Sequence, residues 1–135
     1  MICINVDIKE LIPIQGLTTP NSLEWWLQQP TPDQKSIPVV AYNGRYLTCD
    51  GHHGTLARLI KGLNERPIKI MEYDDEIPAS GEGAFCWSDS IPQLVKRYEK
   101  NWKLDLQARG IYSFNDYFKV YAEQIAEINS RLRIK

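Results

Sequence analysis

The sequence predicts an α+β fold: a small mixed sheet with helices packed on it, followed by two C-terminal helices. Three observations carry that expectation. Residues 2–8 alternate apolar and polar side chains, the period of a half-buried strand. Asn43-Gly44 separates two apolar runs, and both residues tolerate the positive φ angles of a type I′ hairpin turn. From Ser90 onward, apolar residues recur at helical spacing.

The elements follow in order. After the first strand the pattern breaks at Pro13, and Gly16, Thr18, Thr19 and Pro20 mark a turn-rich stretch. Asn21 or Ser22 caps a short helix with Leu23, Trp26 and Leu27 on one side, ended by Pro30 and Pro32. Residues 37–42 and 45–49 are the two arms of the hairpin. A helix starts near Gly51 and buries Leu56, Leu59, Ile60 and Leu63; Gly62 and Asn64 suit its end, and Pro67 prevents continuation. Residues 68–73 form a further strand, and the acidic, glycine-rich residues 74–83 a loop. Ile91, Leu94, Val95, Tyr98, Trp102 and Leu106 make one helical stripe. Ser113, with Asp116 three residues on, opens a last helix bearing Phe114, Tyr117, Phe118, Tyr121, Ile125, Ile128 and Leu132. The expected division is an α+β unit over 1–77 and a helical extension over 78–135. The extension's apolar stripe must be covered by that unit or by a second subunit.

Composition narrows the function classes. The net charge of −1, with acidic and basic residues interspersed, gives no electrostatic argument for broad nucleic-acid binding. Three scattered cysteines, Cys3, Cys49 and Cys86, form neither a disulfide ladder nor a metal signature. They are expected as reduced, mostly buried thiols. The sequence shows no long apolar run and no charged-then-apolar leader, so a cytoplasmic location away from membranes is expected.

The chemistry concentrates in residues 50–55, Asp-Gly-His-His-Gly-Thr. They lie where a strand feeds a helix, so main-chain N–H groups without intrahelical partners are available to an anion. Asp50 is a candidate ligand-contacting residue or helix N-cap. His52 and His53 are candidate acid–base residues and, with Asp50, Gly51, Gly54 and Thr55, candidate nucleotide-binding residues. Adjacent histidines point in different directions, so no metal site is expected of them. Trp25 and Trp26 are candidates to stack a base, and Asp74, Asp75 and Glu76 to hold a cation; core packing and a solvated loop are the plainer readings.

The run from Ile37 to Tyr73 resembles the ParB/sulfiredoxin superfamily, in its Asp-Gly-His-His-Arg box branch. Tyr46-Leu47-Thr48-Cys49, then Asp50-Gly51-His52-His53, then an apolar helix and a strand follow that branch's layout. Residues 11–17 (LIPIQGL) resemble its Leu-x-Pro-x-Glu-x-Val segment. About 75 residues are covered, and the helical tail lies outside. The resemblance implies phosphate binding at the box, with CTP or ATP and magnesium as candidate ligands. ParB proteins bind CTP, sulfiredoxins use ATP to repair overoxidised cysteine, Asp-Gly-His-His-Arg relatives phosphorylate free serine, and some members act as nucleases.

This chain departs from that pattern in ways that bear on chemistry. Gly54 stands where the family has its phosphate-binding arginine, and Arg58, one helical turn on, is the candidate to compensate. His52 occupies the place of sulfiredoxin's catalytic cysteine, and Cys49 comes three residues too early to replace it. Gln15 stands where the kinase branch has its catalytic glutamate, and an amide cannot act as a general base. Glu10 and Glu24 are displaced alternatives without a spacing argument.

The resulting expectation is a ParB-like module that binds a nucleotide or other anionic small molecule at 50–55, without full catalytic activity. Its tail would serve self-association as a homo-oligomer or contact with a protein partner. The alternatives are an ATP-dependent phosphotransferase of the free amino-acid kinase type, or a nuclease, with His52 or His53 catalytic. A DNA-binding partition or regulatory accessory protein is a third, opposed by the near-neutral charge and the lack of an evident helix-turn-helix.

Overall fold

A computed structural model describes residues 2–15, 20–31, 34–72 and 90–134. The expected turn over Gly16, Thr18 and Thr19, the stop at Pro32, Tyr73 of the last strand, the loop with Asp74, Asp75 and Glu76, Cys86 and the 77/78 boundary lie outside the described residues. So does the side chain of Cys3.

The fold is α+β. Its strands are β1 (Ile2–Asp7), β2 (Leu11–Ile12), β3 (Ile37–Tyr42), β4 (Arg45–Thr48) and β5 (Glu65–Ile70). They form one mixed sheet in the order β1-β5-β3-β4-β2. The β1/β5 and β3/β4 pairs are antiparallel, and β3/β5 and β2/β4 are parallel. The helices are α1 (Pro20–Gln28), α2 (His52–Ile60), α3 (Ile91–Arg97), α4 (Lys103–Ala108), α5 (Asp116–Val120) and α6 (Ala122–Ile134). No helix among the described residues is long and apolar enough to cross a membrane.

Strand alternation sorts the core into two clusters, one per sheet face. Ile37, Val39, Leu11 and Ile68 pack with Leu23 of α1, Leu56 and Ala57 of α2, Leu106 of α4, Phe114, Tyr117 of α5, and Ile125 and Ile128 of α6. On the other face Ile12, Val40, Leu47, Cys49 and Met71 pack with Ile91 and Leu94 of α3 and with Tyr98. The C-terminal stripe is therefore covered by this chain's own sheet and helices, although Phe118 stays 38% exposed.

Several elements match local expectation. Asn43 and Gly44 have φ of 49° and 78°, the backbone that the hairpin needs. Gly62, at φ 85°, closes α2 in a Schellman arrangement: Leu63 N–H donates to Arg58 O and Gly62 N–H to Leu59 O. Asp116 Oδ2 accepts from the N–H groups of Ser113 at 2.9 Å and Tyr112 at 2.7 Å. Asp116→Ala should cost about 1 kcal/mol, read from urea midpoints, because both donors lose their carboxylate acceptor. A loss within error of zero would show that water serves those donors equally well.

Other elements depart from it. Helix α1 begins at Pro20, whose missing N–H suits a first turn, so Asn21 and Ser22 lie inside it instead of capping it. Strand β5 begins at Glu65 and includes Pro67, where the strand is paired with β1 alone; the β3 ladder starts at Ile68. Leu63 lies beyond α2 and is 37% exposed. The short β2 was not expected. The stripe from Ile91 to Leu106 is interrupted by a π-helical turn, Tyr98–Trp102, closed by Lys103 N–H donating to Tyr98 O. The extra residue in that turn rotates the apolar stripe, so Tyr98 packs on one sheet face and Leu106 on the other. The last helix breaks at Tyr121, which separates α5 from α6.

Candidate functional site

The turn from β4 into α2 is shaped by its backbone. Gly51 is the residue preceding the helix, in a left-handed conformation at φ 84°. A Cβ there would stand 2.6 Å from Ile37 Cγ2, so only glycine lets the chain pass this close to β3. Asp50 is exposed and its Oδ1 accepts from Gly51 N–H at 2.8 Å. It is not the N-cap that the sequence suggested; Gly51 holds that position, with no side-chain cap. The first main-chain bond of the helix runs from Thr55 N–H to Gly51 O, so the N–H groups of His52, His53 and Gly54 are not used by the helix ladder.

The two histidines are placed very differently. His53 is half-buried. His52 is 2% exposed, and its Nε2 accepts from Ile14 N–H at 3.0 Å. That bond puts the ring proton on Nδ1 and makes the imidazole a neutral acceptor tying the segment after β2 to α2. Burial, with the nearby His53 and Arg66, pushes its pKa down to about 3. The ring packs on Phe114 at 5.5 Å between centroids, and Tyr117, edge-to-face with Phe114, donates its hydroxyl to Gln15 O. The C-terminal aromatics thus hold both His52 and the Gln15 segment.

The remaining candidates are also engaged. Gly54 is buried, and Thr55 is wholly so; its hydroxyl donates to Gly51 O at 2.7 Å. Arg58 turns away from the turn and donates through Nε to Glu65 O at 2.8 Å, bracing α2 against the start of β5. Cys49 is a free, buried thiol whose pKa burial pushes up to about 12, so it offers no thiolate at neutral pH. Trp26 packs on the core and Trp25 is 53% exposed. Among the described residues no group of three or more His, Cys, Asp or Glu side chains is arranged to hold a metal ion.

Sequence reasoning missed Arg66. This β5 residue is fully buried, with Nη1 donating to Thr55 Oγ1 at 3.2 Å and Nη2 to Lys35 O at 3.3 Å. Nη2 lies 3.6 Å from the point a Gly51 Cβ would occupy. The signal was present: Arg66, Ile68 and Ile70 share one parity of a strand, so an arginine stands in a core-facing row.

Comparison with known proteins gives little to add to this geometry. No family model matches the chain. No curated protein matches it. Among solved structures it is similar to the crystal structure of protein Atu1540 from Agrobacterium tumefaciens, with 19% identity and a TM-score of 0.43. That match covers 82% of this chain, which spans 50% of the other.

Proposed function

We propose that the chain is a ParB-like module that binds a nucleotide or another anionic small molecule at residues 50–55, without full catalytic activity. The observation that carries the reading is the end of α2. A left-handed glycine turns the chain so that the main-chain N–H groups of His52, His53 and Gly54 open the helix, at its positive dipole end. Recognition on this reading is by main chain, with Gly51 and His53 at the partly exposed rim. His52 and Thr55 support the turn instead of reaching the ligand, Arg58 braces the other end of α2 against β5, and Gln15 and Cys49 supply neither base nor nucleophile. The tail's share in self-association or partner contact falls to the apolar residues it leaves outside, Leu104, Tyr112 and Phe118.

Thermal unfolding with CTP, ATP, ADP or inorganic phosphate, each with and without magnesium, tests the proposal. A ligand bound only by the native state at a hundred times its Kd adds about 2.7 kcal/mol, which for a chain of this size raises Tm on the order of 10 °C. A flat Tm across all eight conditions, up to millimolar ligand, defeats the proposal.

A further inference from the structure

We infer that Asn43, at the tip of the β3–β4 hairpin, is a site of self-modification. The Gly44 main-chain nitrogen attacks the side-chain carbonyl carbon of Asn43, and the new C–N bond closes a succinimide ring. The side-chain nitrogen leaves as ammonia, taking up the proton that Gly44 N–H gives away. Water then opens the ring at either carbonyl, which leaves aspartate or isoaspartate at position 43. Water is the one co-reactant.

Such a ring closes where the following nitrogen is uncommitted and its residue is small. The hairpin supplies both conditions. Cys49 N–H donates to Pro38 O at 3.0 Å, which sets the phase of the antiparallel ladder. In that phase the hydrogen-bonded pairs include Val40/Leu47 and Tyr42/Arg45. Tyr42 and Arg45 therefore close the turn, and the N–H groups of Asn43 and Gly44 lie outside the ladder. Both tip residues are exposed to water. Glycine leaves its nitrogen open to approach, and even an added Cβ at Gly44 would meet nothing within 4 Å.

Ring closure also needs room to move. Asn43 sits at φ 49°, and the peptide joining it to Gly44 must swing to bring the nitrogen onto the side-chain carbon. At an exposed tip that swing disturbs the closing pair of one turn. In a helix interior it breaks several ladder bonds together, so local opening there costs more. Asn129, followed by the small Ser130 in the middle of α6, is the contrasting case.

The two products differ in consequence. Aspartate preserves an Asp-Gly turn, which suits the same left-handed backbone. Isoaspartate routes the chain through the former side chain and adds a main-chain carbon to the tip, so Tyr42 and Arg45 lose their register. Arg45 Nη2 donates to Lys9 O at 3.0 Å and to Leu11 O at 3.3 Å. Tyr42 donates its hydroxyl to Glu99 at 2.7 Å. The end of the hairpin thus holds the approach to β2 and the π-helical turn, and isoaspartate at 43 loosens both.

The intact wild-type protein is incubated at pH 8.5 and 37 °C, native and in guanidinium chloride, and followed by peptide mapping with mass detection. The peptide containing Asn43 should gain the mass of an amide-to-acid conversion. It should divide between a peak matching Asn43→Asp and a larger isoaspartate peak. Folding should slow conversion less than tenfold at Asn43 and at least tenfold at Asn129. Gly44→Ala should slow it at least tenfold at Asn43. Isoaspartate forms only by way of the ring, so wild type alone decides the route even if G44A fails to fold. Tenfold or greater protection of Asn43 by folding, aspartate as the sole product, or a folded G44A converting at the wild-type rate overturns the inference. The purified isoaspartate form should unfold at a lower urea midpoint than N43D. Equal midpoints overturn the loosening through Arg45 and Tyr42.

Discussion

Gly51→Ala should destabilise the protein by about 2–5 kcal/mol. The left-handed backbone at φ 84° costs an L-residue about 1–2 kcal/mol. The new methyl also enters Ile37 Cγ2 at 2.6 Å. Ile37 is buried and branched at Cβ, so it cannot swing aside cheaply, and forced overpacking adds about 1–3 kcal/mol. Gly44→Ala provides the control. It has a similar φ, 78°, and nothing within 4 Å of its added Cβ, so it should lose only the backbone part. Urea midpoints at constant m separate the two. Equal losses at positions 44 and 51 would mean that β3 and the turn do not approach as described, and the site geometry would go with them.

Acid should unfold the protein through His52, by an amount that reaches about 4–5 kcal/mol when fully developed. The folded pKa of about 3 lies below the ordinary 6.5, so the unfolded chain takes the proton first. The contribution of neutral His52 is complete above pH 6.5. It is lost at about 1.4 kcal/mol per pH unit as pH falls from 6.5 towards 3. Structurally, a protonated ring cannot accept from Ile14 N–H, and it brings a charge against Phe114. His52→Gln removes the titration while offering an amide oxygen as acceptor. Stability curves from pH 7.5 to 4 should therefore converge, with wild type falling faster by close to one proton. Parallel curves would show that His52 titrates normally and faces water. That result would restore it as an acid–base candidate.

These two residues, adjacent in sequence, show how far the chain could be read. The Asn43-Gly44 hairpin, the stop at Gly62 and the Asp116 reach-back are short-range devices. Each depends on φ preferences or on a side chain bonding within three or four residues, and each was legible. The π-helical turn at Tyr98–Trp102 was not, because the apolar spacing around it fits an uninterrupted helix equally well. Nor was the break at Tyr121, where packing of two helices on one core outweighs a continuous stripe. At the candidate site the turn and its glycine were legible and the roles were not. Asp50 is spaced like a cap, yet Gly51 takes that position. Arg58 is spaced to compensate for Gly54, yet it braces β5.

By itself the sequence determined an α+β chain in which residues 50–55 join a strand to a helix, since that much follows from local periodicity and turn chemistry. Only the tertiary structure decided that His52 is an interior acceptor for a main-chain donor 38 residues away and that a β5 arginine stands behind the turn. The physical reason is that burial and hydrogen-bond partners are set by which strands become neighbours. The order β1-β5-β3-β4-β2 interleaves distant segments in a way that no local pattern encodes.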